Sequence, residues 1–253
     1  MKITFLGTGT SLGVPIIGCK CRVCDSVNPK DKRLRSSVMV ETDGKRFIID
    51  TGPDFRQQMI REKVNTVNAI LYTHEHRDHV AGLDDLRSFN YIMKRKMDLY
   101  ATDFVQKSLH HQFEYVFSEK QYPGIPEITF HTIENKPFTV EGVTITPILV
   151  KHMHLPVFGF RIGNFTYITD ANSISDAEKK KIIGSEVLVL NSLRREPHPS
   201  HFTFDEAVAL AKELNCKKTY LTHISHLLGL HEEVQEDLPE NIRLAFDGLR
   251  LTI

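Results

Sequence analysis

Hydrophobic residues along the chain fall into short runs separated by polar or glycine-containing turns. Runs such as Ala69–Tyr72 are too short for helices and predict buried strands. Ser37–Glu41 and Arg46–Asp50 flank the dipeptide Asp43-Gly44, which predicts a two-residue β-hairpin turn. A second hairpin is expected around Gly163-Asn164.

The clearest helix is predicted after Thr203. Apolar residues recur there at helical spacing, and they are Ala207, Leu210, Ala211 and Leu214. Thr203 followed by Glu206 fits a capping box, so the helix should cover Phe204–Leu214. Other helices are expected at Phe55–Lys63, Gly82–Tyr91, Asp103–Tyr115 and Ser175–Ile183.

The order of these elements predicts an α/β fold. Strands come in two sequential groups, each interleaved with helices, which fits two packed sheets with helices outside, an αββα sandwich. The order alone leaves a doubly wound sheet open. The sequence has no internal repeat or linker, so we expect one domain over residues 1–253.

Charge and composition narrow the class of function. Lys+Arg and Asp+Glu both number 32, and this zero net charge argues against a stable nucleic-acid partner. No apolar run approaches the ~18–20 residues of a membrane helix, so no membrane partner is expected. The N-terminus is strand-like and lacks a signal peptide's apolar region, which predicts a cytoplasmic location.

Histidine is the residue type that points to chemistry. Four candidate metal ligands, His74, His76, Asp78 and His79, lie within six residues directly after an apolar strand. An exposed polar loop would not need this density of ligands or the apolar lead-in. Imidazole and carboxylate together suit Zn²⁺, Mn²⁺ or Fe²⁺. We therefore predict a metal site here.

Three of the four cysteines also cluster. Cys19, Cys21 and Cys24 lie close together, and without an export signal such a cluster is expected to bind metal rather than to form disulfides. A reduced, metal-free thiol loop is the alternative. Cys216 lies elsewhere and should be a buried thiol.

The pattern H-x-H-x-D-H at residues 74–79 resembles the signature of the metallo-β-lactamase superfamily, an αββα fold with metals at one edge of the sheets. Further elements follow in the expected order: Asp50 in Ile48–Gly52, a histidine after a strand, Asp170 in Tyr167–Asp170, and His223 in Leu221–His223. The resemblance implies that His74, His76 and His152 hold one metal and that Asp78, His79 and His223 hold the second. It also implies that Asp170 bridges both metals.

Two details depend on the same resemblance. Leu155-Pro156 and Gly159-Phe160 align the third element on His152, with His154 as the alternative. Asp50 would orient a metal ligand rather than bind metal itself.

The N-terminal segment, with Gly7–Ser11 and the three cysteines, is similar to the PhnP-like phosphodiesterase branch of this superfamily. The resemblance implies a structural zinc held by Cys19, Cys21, Cys24 and His226. His231 is a weaker candidate for the fourth ligand. Three thiolates and one imidazole complete a tetrahedral Zn²⁺ site without an open position.

The expected chemistry is hydrolysis. Two adjacent metals can share a water and lower its pKa toward ~7, which supplies a bridging hydroxide at neutral pH. Asp78 is expected to orient this nucleophile. His201, just before the predicted helix, resembles the residue that this branch places over the scissile phosphate, where it acts as general acid or stabilises the transition state.

The leading hypothesis is a dinuclear phosphodiesterase acting on small, including cyclic, phosphodiesters, with a homodimer expected by analogy. A tRNase Z-like endoribonuclease would need a protruding arm, for which residues 147–201 are too short. A thioester or lactone hydrolase would share the metal core. A flavodiiron-type protein would need a Glu at His76 and a flavin domain. The complete ligand set argues against a non-catalytic metal carrier, and an activity assay would separate a carrier from an enzyme.

Overall fold

The computed structural model describes residues 1–118 and 123–253, and two mixed β-sheets dominate it. Strands are numbered along the chain. The first sheet has seven strands in the order β15-β1-β2-β3-β4-β5-β6. Their bounds are β1 Lys2–Gly7, β2 Ser37–Thr42, β3 Lys45–Ile49, β4 Ala69–Leu71, β5 Met97–Ala101, β6 Ile128–Thr132 and β15 Arg250–Thr252.

The second sheet has eight strands in the order β11-β8-β9-β10-β12-β13-β14, with β7 paired to β8. Their bounds are β7 Phe138–Val140, β8 Val143–His152, β9 Leu155–Ile162, β10 Phe165–Tyr167, β11 Ser173–Ile174, β12 Val187–Asn191, β13 Lys218–Thr222 and β14 Ile242–Leu244. β10, β12, β13 and β14 run parallel, so their C-terminal ends reach one edge.

The helices in the described residues lie between these strands. They are α1 Phe55–Arg61, α2 Arg77–Val80, α3 Arg87–Met93, α4 Asp103–Gln112, α5 Glu114–Phe117, α6 Asp176–Ile182, α7 Phe204–Leu214 and α8 His231–Glu236. Short 3₁₀ helices occupy Pro29–Asp31 and Leu83–Leu86. No helix in the part of the chain described has the length and apolar character needed to cross a membrane.

The inner faces of the two sheets form the central core. Phe5 and Phe47 of the first sheet belong to the same buried cluster as Phe160 and Val189 of the second. Each such large side chain stabilises the fold by roughly 1.5–3 kcal/mol when fully buried. One shared core between two sheets confirms the sandwich and rules out a single doubly wound sheet.

Helices cover the outer faces. Phe55 of α1 and Leu109 of α4 pack on the first sheet, while Leu210 of α7 and Val234 of α8 pack on the second. The capping box of α7 is present, with the Thr203 and Glu206 side chains each accepting from the other's backbone N–H. The architecture is therefore the predicted αββα sandwich.

The predicted hairpin turns are also confirmed. At the β2–β3 turn Asp43 has φ 51° and Gly44 has φ 71°, the left-handed pair that a two-residue turn requires. Gly163, with φ 54°, connects β9 to β10.

Some element bounds differ from the prediction. The helix expected at Asp103–Tyr115 divides at Phe113, whose φ of −124° is not helical. Part of the expected Gly82–Tyr91 helix is 3₁₀, and a strand expected at Leu244–Phe246 lies instead at Ile242–Leu244. α2 has only four residues, too few to produce a recognisable apolar period.

Candidate metal centre

Four predicted ligands lie at strand ends on one edge of the sandwich. His74 comes shortly after β4, His152 ends β8, Asp170 follows β10 and His223 follows β13. Asp170 and His223 have φ of 53° and 57°, a left-handed conformation that non-glycine residues rarely adopt. Such strain costs on the order of 1–3 kcal/mol per residue and clusters at functional sites.

The remaining predicted ligands come from the segment that leads into α2. His76 precedes the helix, while Asp78 and His79 lie in its first turn. The Thr51 N–H donates to the His79 carbonyl oxygen at 2.7 Å and fixes this turn beside the end of β3. Gly52 permits the close approach, because a Cβ there would lie 2.2 Å from the Asp78 carbonyl oxygen.

The rings of His74, His76 and His152 lie close together. Their centroids are 4.6 Å apart for His74 and His76, 5.2 Å for His76 and His152, and 5.9 Å for His74 and His152. The Nδ1 of His152 donates to the Ser200 carbonyl oxygen at 2.7 Å, which leaves the Nε2 lone pair free. The structure thus brings together the three residues predicted to hold the first metal.

The second predicted group is tighter. Ligand atoms of Asp78, His79, Asp170 and His223 all lie within 4.8 Å of one another. The Nε2 of His79 is 3.2 Å from an oxygen of Asp78 and 3.2 Å from an oxygen of Asp170, yet it makes no hydrogen bond. The Nδ1 of His223 is 3.3 Å from Asp170 Oδ2. Asp170 therefore lies where a residue shared by both groups would have to lie.

Buried negative charge dominates this part of the site. Burial lowers the pKa of His79, but the carboxylates of Asp78, Asp170 and Asp50 outweigh it and raise that pKa above its usual range. Burial lowers the pKa of His74, whose Nε2 is buried without a hydrogen-bond partner. Buried carboxylates beside unpartnered imidazole nitrogens form a donor set that fits divalent Zn, Mn or Fe.

Asp50 makes the contact that its predicted orienting role requires. It is fully buried, and its Oδ2 accepts a hydrogen bond from His79 Nδ1 at 2.7 Å. Because Asp50 holds the Nδ1 proton, His79 would give up its Nε2 proton when a metal binds and present that lone pair to the site.

His201 lies over the two groups of predicted ligands. Its buried ring is 4.6 Å from the ring of His152 and 4.9 Å from that of His223. Its Nδ1 has no hydrogen-bond partner and lies 3.8 Å from Asp170 Oδ1. Burial lowers its pKa to about 3, so the ring is neutral at pH 7 in the free protein.

The structure shows contacts of two histidines that were not predicted from the sequence. His201 lies close enough to His152 and Asp170 to count as a potential ligand itself. His198, which lies between two prolines, is half-buried and has its ring 5.0 Å from that of His201. His154, the alternative to His152, is exposed.

The cysteine cluster forms a separate site. The Nδ1 of His226 lies 3.5, 3.3 and 3.6 Å from the Sγ atoms of Cys19, Cys21 and Cys24. Zinc bond lengths predict about 3.6 Å between sulfur and nitrogen ligands in a tetrahedron. The alternative ligand, His231, instead accepts a hydrogen bond from Arg33 Nη2 at 3.1 Å. The four predicted residues therefore fit a structural zinc.

The thiols have different environments. The Cys24 backbone N–H donates to Cys21 Sγ at 3.4 Å and, together with His226, lowers the pKa of Cys21 to about 6. Burial raises the pKa of Cys24 to about 11. A bound cation would be needed to deprotonate Cys24 at neutral pH.

One short segment connects the two sites, because His223 and His226 are three residues apart. Between them, the Ile224 N–H donates to the Thr8 carbonyl oxygen at 2.9 Å, and the Thr10 N–H donates to the Ile224 carbonyl oxygen at 3.1 Å. Thr10 Oγ1 also lies 3.3 Å from His223 Nε2. The N-terminal loop therefore contacts the segment that carries a predicted ligand of each site.

Replacing Cys21 with serine tests the cysteine site. We expect the variant to lose one zinc equivalent while the other metals still bind, as measured by elemental analysis. A loss of about 2 kcal/mol would lower Tm by about 4–8 °C in a chain of this size. Cys216→Ser is the matched control, because Cys216 is a buried cysteine outside the cluster. Unchanged zinc content in Cys21→Ser would contradict the assignment.

Comparison with known proteins agrees with this geometry. The chain matches the family described as Beta-lactamase superfamily domain over residues 45–224. It is 44% identical to a crystallised diphosphatase of the PhnP family, with a TM-score of 0.93, and the match covers 100% of this chain and 97% of that one. Human tRNase Z, short form, shares the fold at 20% identity and a TM-score of 0.71, covering 100% and 99% of the two chains.

A longer curated relative is the octanoyltransferase of Porphyromonas gingivalis, 40% identical over 256 residues. The match includes 100% of this chain but 52% of that protein, so the chain spans about half the length of this relative. The family match, the whole-length likeness to the PhnP-family structure and the αββα sandwich agree with one another. The chain belongs to the metallo-β-lactamase superfamily, whose fold implies divalent metal binding.

Proposed function

We propose that this hydrolase cleaves small phosphodiesters with two divalent metal ions. The observation that carries the proposal is the position of His201 over both groups of predicted ligands, with an unpartnered Nδ1 3.8 Å from Asp170 Oδ1. A hydrogen-bond donor above a dinuclear site suits a reaction in which negative charge develops on phosphoryl oxygens.

Each metal would have its own set of ligands. His74, His76 and His152 would hold one ion, Asp78, His79 and His223 the other, and Asp170 would contact both. When bound, the ions supply an acidified water and draw negative charge from the substrate's oxygens. We propose Zn²⁺ or Mn²⁺, with Fe²⁺ as a further candidate, because the donor set is imidazole and carboxylate.

The chain's own residues would then bind the substrate and transfer one proton to the leaving group. His201 is neutral in the free protein, and in the tautomer that carries its proton on Nδ1 the ring would donate a hydrogen bond to a phosphoryl oxygen. A bound phosphate anion beside the ring would raise the His201 pKa and favour the protonated form. The leaving oxygen could then take the proton from this ring. Asp78, at the mouth of the same group, would orient the attacking water.

A diphosphate substrate is the second candidate. It is favoured by the 44% identity to a PhnP-family diphosphatase over the whole chain. His198 offers a further polar group beside His201. Its Nδ1 accepts from the Ser200 N–H at 3.4 Å, which places the proton of the neutral ring on Nε2. That N–H would be available to a second phosphate.

A tRNase Z-like activity has less support. Such an enzyme would need an arm within residues 147–201, and that stretch, which the structure describes completely, is occupied by β8 to β12, α6 and short connections. Thioester or lactone hydrolysis would use the same ligands but would give His201 no phosphate to contact.

An assay panel tests the proposal on the metal-loaded protein. We expect turnover of cyclic and linear phosphodiesters to exceed that of phosphomonoesters, thioesters and lactones. A preference for a diphosphate diester over a phosphodiester would select the second candidate. Cleavage restricted to precursor tRNA, thioesters or lactones would overturn the proposal.

A further inference from the structure

The carboxylate of Asp50 is shared between two residues. Its Oδ1 accepts from the Thr73 backbone N–H at 2.9 Å. Its Oδ2 accepts from Thr73 Oγ1 at 2.8 Å and from His79 Nδ1 at 2.7 Å. Asp50, Thr73 and His79 are all 0–1% exposed, so water does not compete for these hydrogen bonds.

The Thr73 hydroxyl also contacts His74. Its oxygen lies 2.9 Å from His74 Nδ1. Because the hydroxyl donates its one proton to Asp50, it can only accept a hydrogen bond from His74. The neutral His74 ring therefore carries its proton on Nδ1 and keeps the lone pair on Nε2.

The same buried carboxylate thus holds the proton on Nδ1 in both rings, directly in His79 and through the Thr73 hydroxyl in His74. In both rings Nε2 is buried and without a hydrogen-bond partner. The centroids of the two rings are 4.3 Å apart, and the rings belong to different predicted metal groups. A hydroxyl–carboxylate pair of this kind orients ligands of two ions at once.

We propose that Thr73 is a positioning residue, whose hydroxyl transmits the orienting effect of Asp50 to His74 and so to the first metal. This inference rests on the metal-dependent activity proposed above, but its test needs no substrate. Loss of the hydroxyl would leave His74 free to rotate or to change tautomer. Loss of an outer hydrogen bond to a ligand typically costs about 10–100-fold in metal affinity.

The test is a Co²⁺ titration of the metal-free protein, followed by visible absorbance. We expect Thr73→Val to weaken binding of one Co²⁺ by about 10–100-fold, and Thr73→Ser to restore it. Thr51→Val is the matched control, because Thr51 Oγ1 is equally buried and contacts Tyr72 Oη at 2.7 Å. Wild-type Co²⁺ affinity in Thr73→Val, or an equal loss in Thr51→Val, would overturn the proposal.

A second measurement does not depend on a variant that folds. Nitrogen NMR of the histidine rings in the metal-free wild-type protein reports which nitrogen carries the proton. We expect the neutral Nδ1–H form for His74. An Nε2–H form of His74 would contradict the proposal. Failure of the phosphodiester assay, with both of these results as expected, would remove the proposed substrate but not the role of Thr73.

Discussion

Replacing Asp170 with alanine is expected to abolish turnover and to remove both active-site metals. Asp170 is 2% exposed, and its carboxylate lies 3.2 Å from His79 Nε2, 3.3 Å from His223 Nδ1 and 3.8 Å from His201 Nδ1. Elemental analysis after metal loading should report only the zinc of the cysteine site.

The variant Asp170→Asn removes the negative charge of the carboxylate but keeps its size and shape. The amide has the size of the carboxylate and can still accept from Thr169 Oγ1, which lies 2.6 Å from Asp170 Oδ2. It lacks the negative charge that a shared ligand must supply, so we expect severe loss of metal in this variant too. Circular dichroism should find both variants folded. Two active-site metals retained by Asp170→Ala would mean that Asp170 is not a shared ligand.

Replacing His201 with alanine is expected to lower kcat on phosphodiesters by about 10²-fold or more, the scale of a lost acid or base. Metal content should not change, because all seven predicted ligands of the two metals remain. Metal content therefore distinguishes the two roles that the geometry allows for His201, an acid or base and a metal ligand. Loss of one metal from His201→Ala would instead make His201 a ligand, as its closeness to His152 and Asp170 permits.

The choice of substrate sharpens this experiment. A substrate with a good leaving group, such as a nitrophenyl ester, needs little protonation and should be less affected than an alkyl diester. His131→Ala is the control, since His131 pairs with Asp98 at 2.7 Å on β5 and β6, away from the site. Full activity of His201→Ala on an alkyl diester would remove its assigned role.

Local sequence patterns predicted the turns and helix ends that depend on only a few neighbouring residues. The hairpin at Asp43-Gly44 and the capping box at Thr203 depend on neighbouring residues only, and both are present. The concentration of ligands at residues 74–79 is also a local signal. The helix α2 was missed because its four residues carry ligands rather than an apolar stripe.

Local sequence patterns could not predict contacts between residues that are far apart in the chain. His152, Asp170 and His223 are isolated in the sequence, and only the family resemblance connected them with residues 74–79. Nothing near Thr73 indicates that its hydroxyl lies between His74 and a carboxylate 23 positions earlier. The sheet register decides that contact, since β3 and β4 are parallel neighbours and end together.

The three-residue distance between His223 and His226 has a further consequence. Both side chains extend from one stretch of backbone that the N-terminal loop holds on either side of Ile224. An insertion or deletion between them would displace a predicted ligand of each candidate metal site together, so the two sites could not change their sequence positions independently of each other. This stretch is therefore a part of the protein where chain length, and not only residue identity, should be under selection.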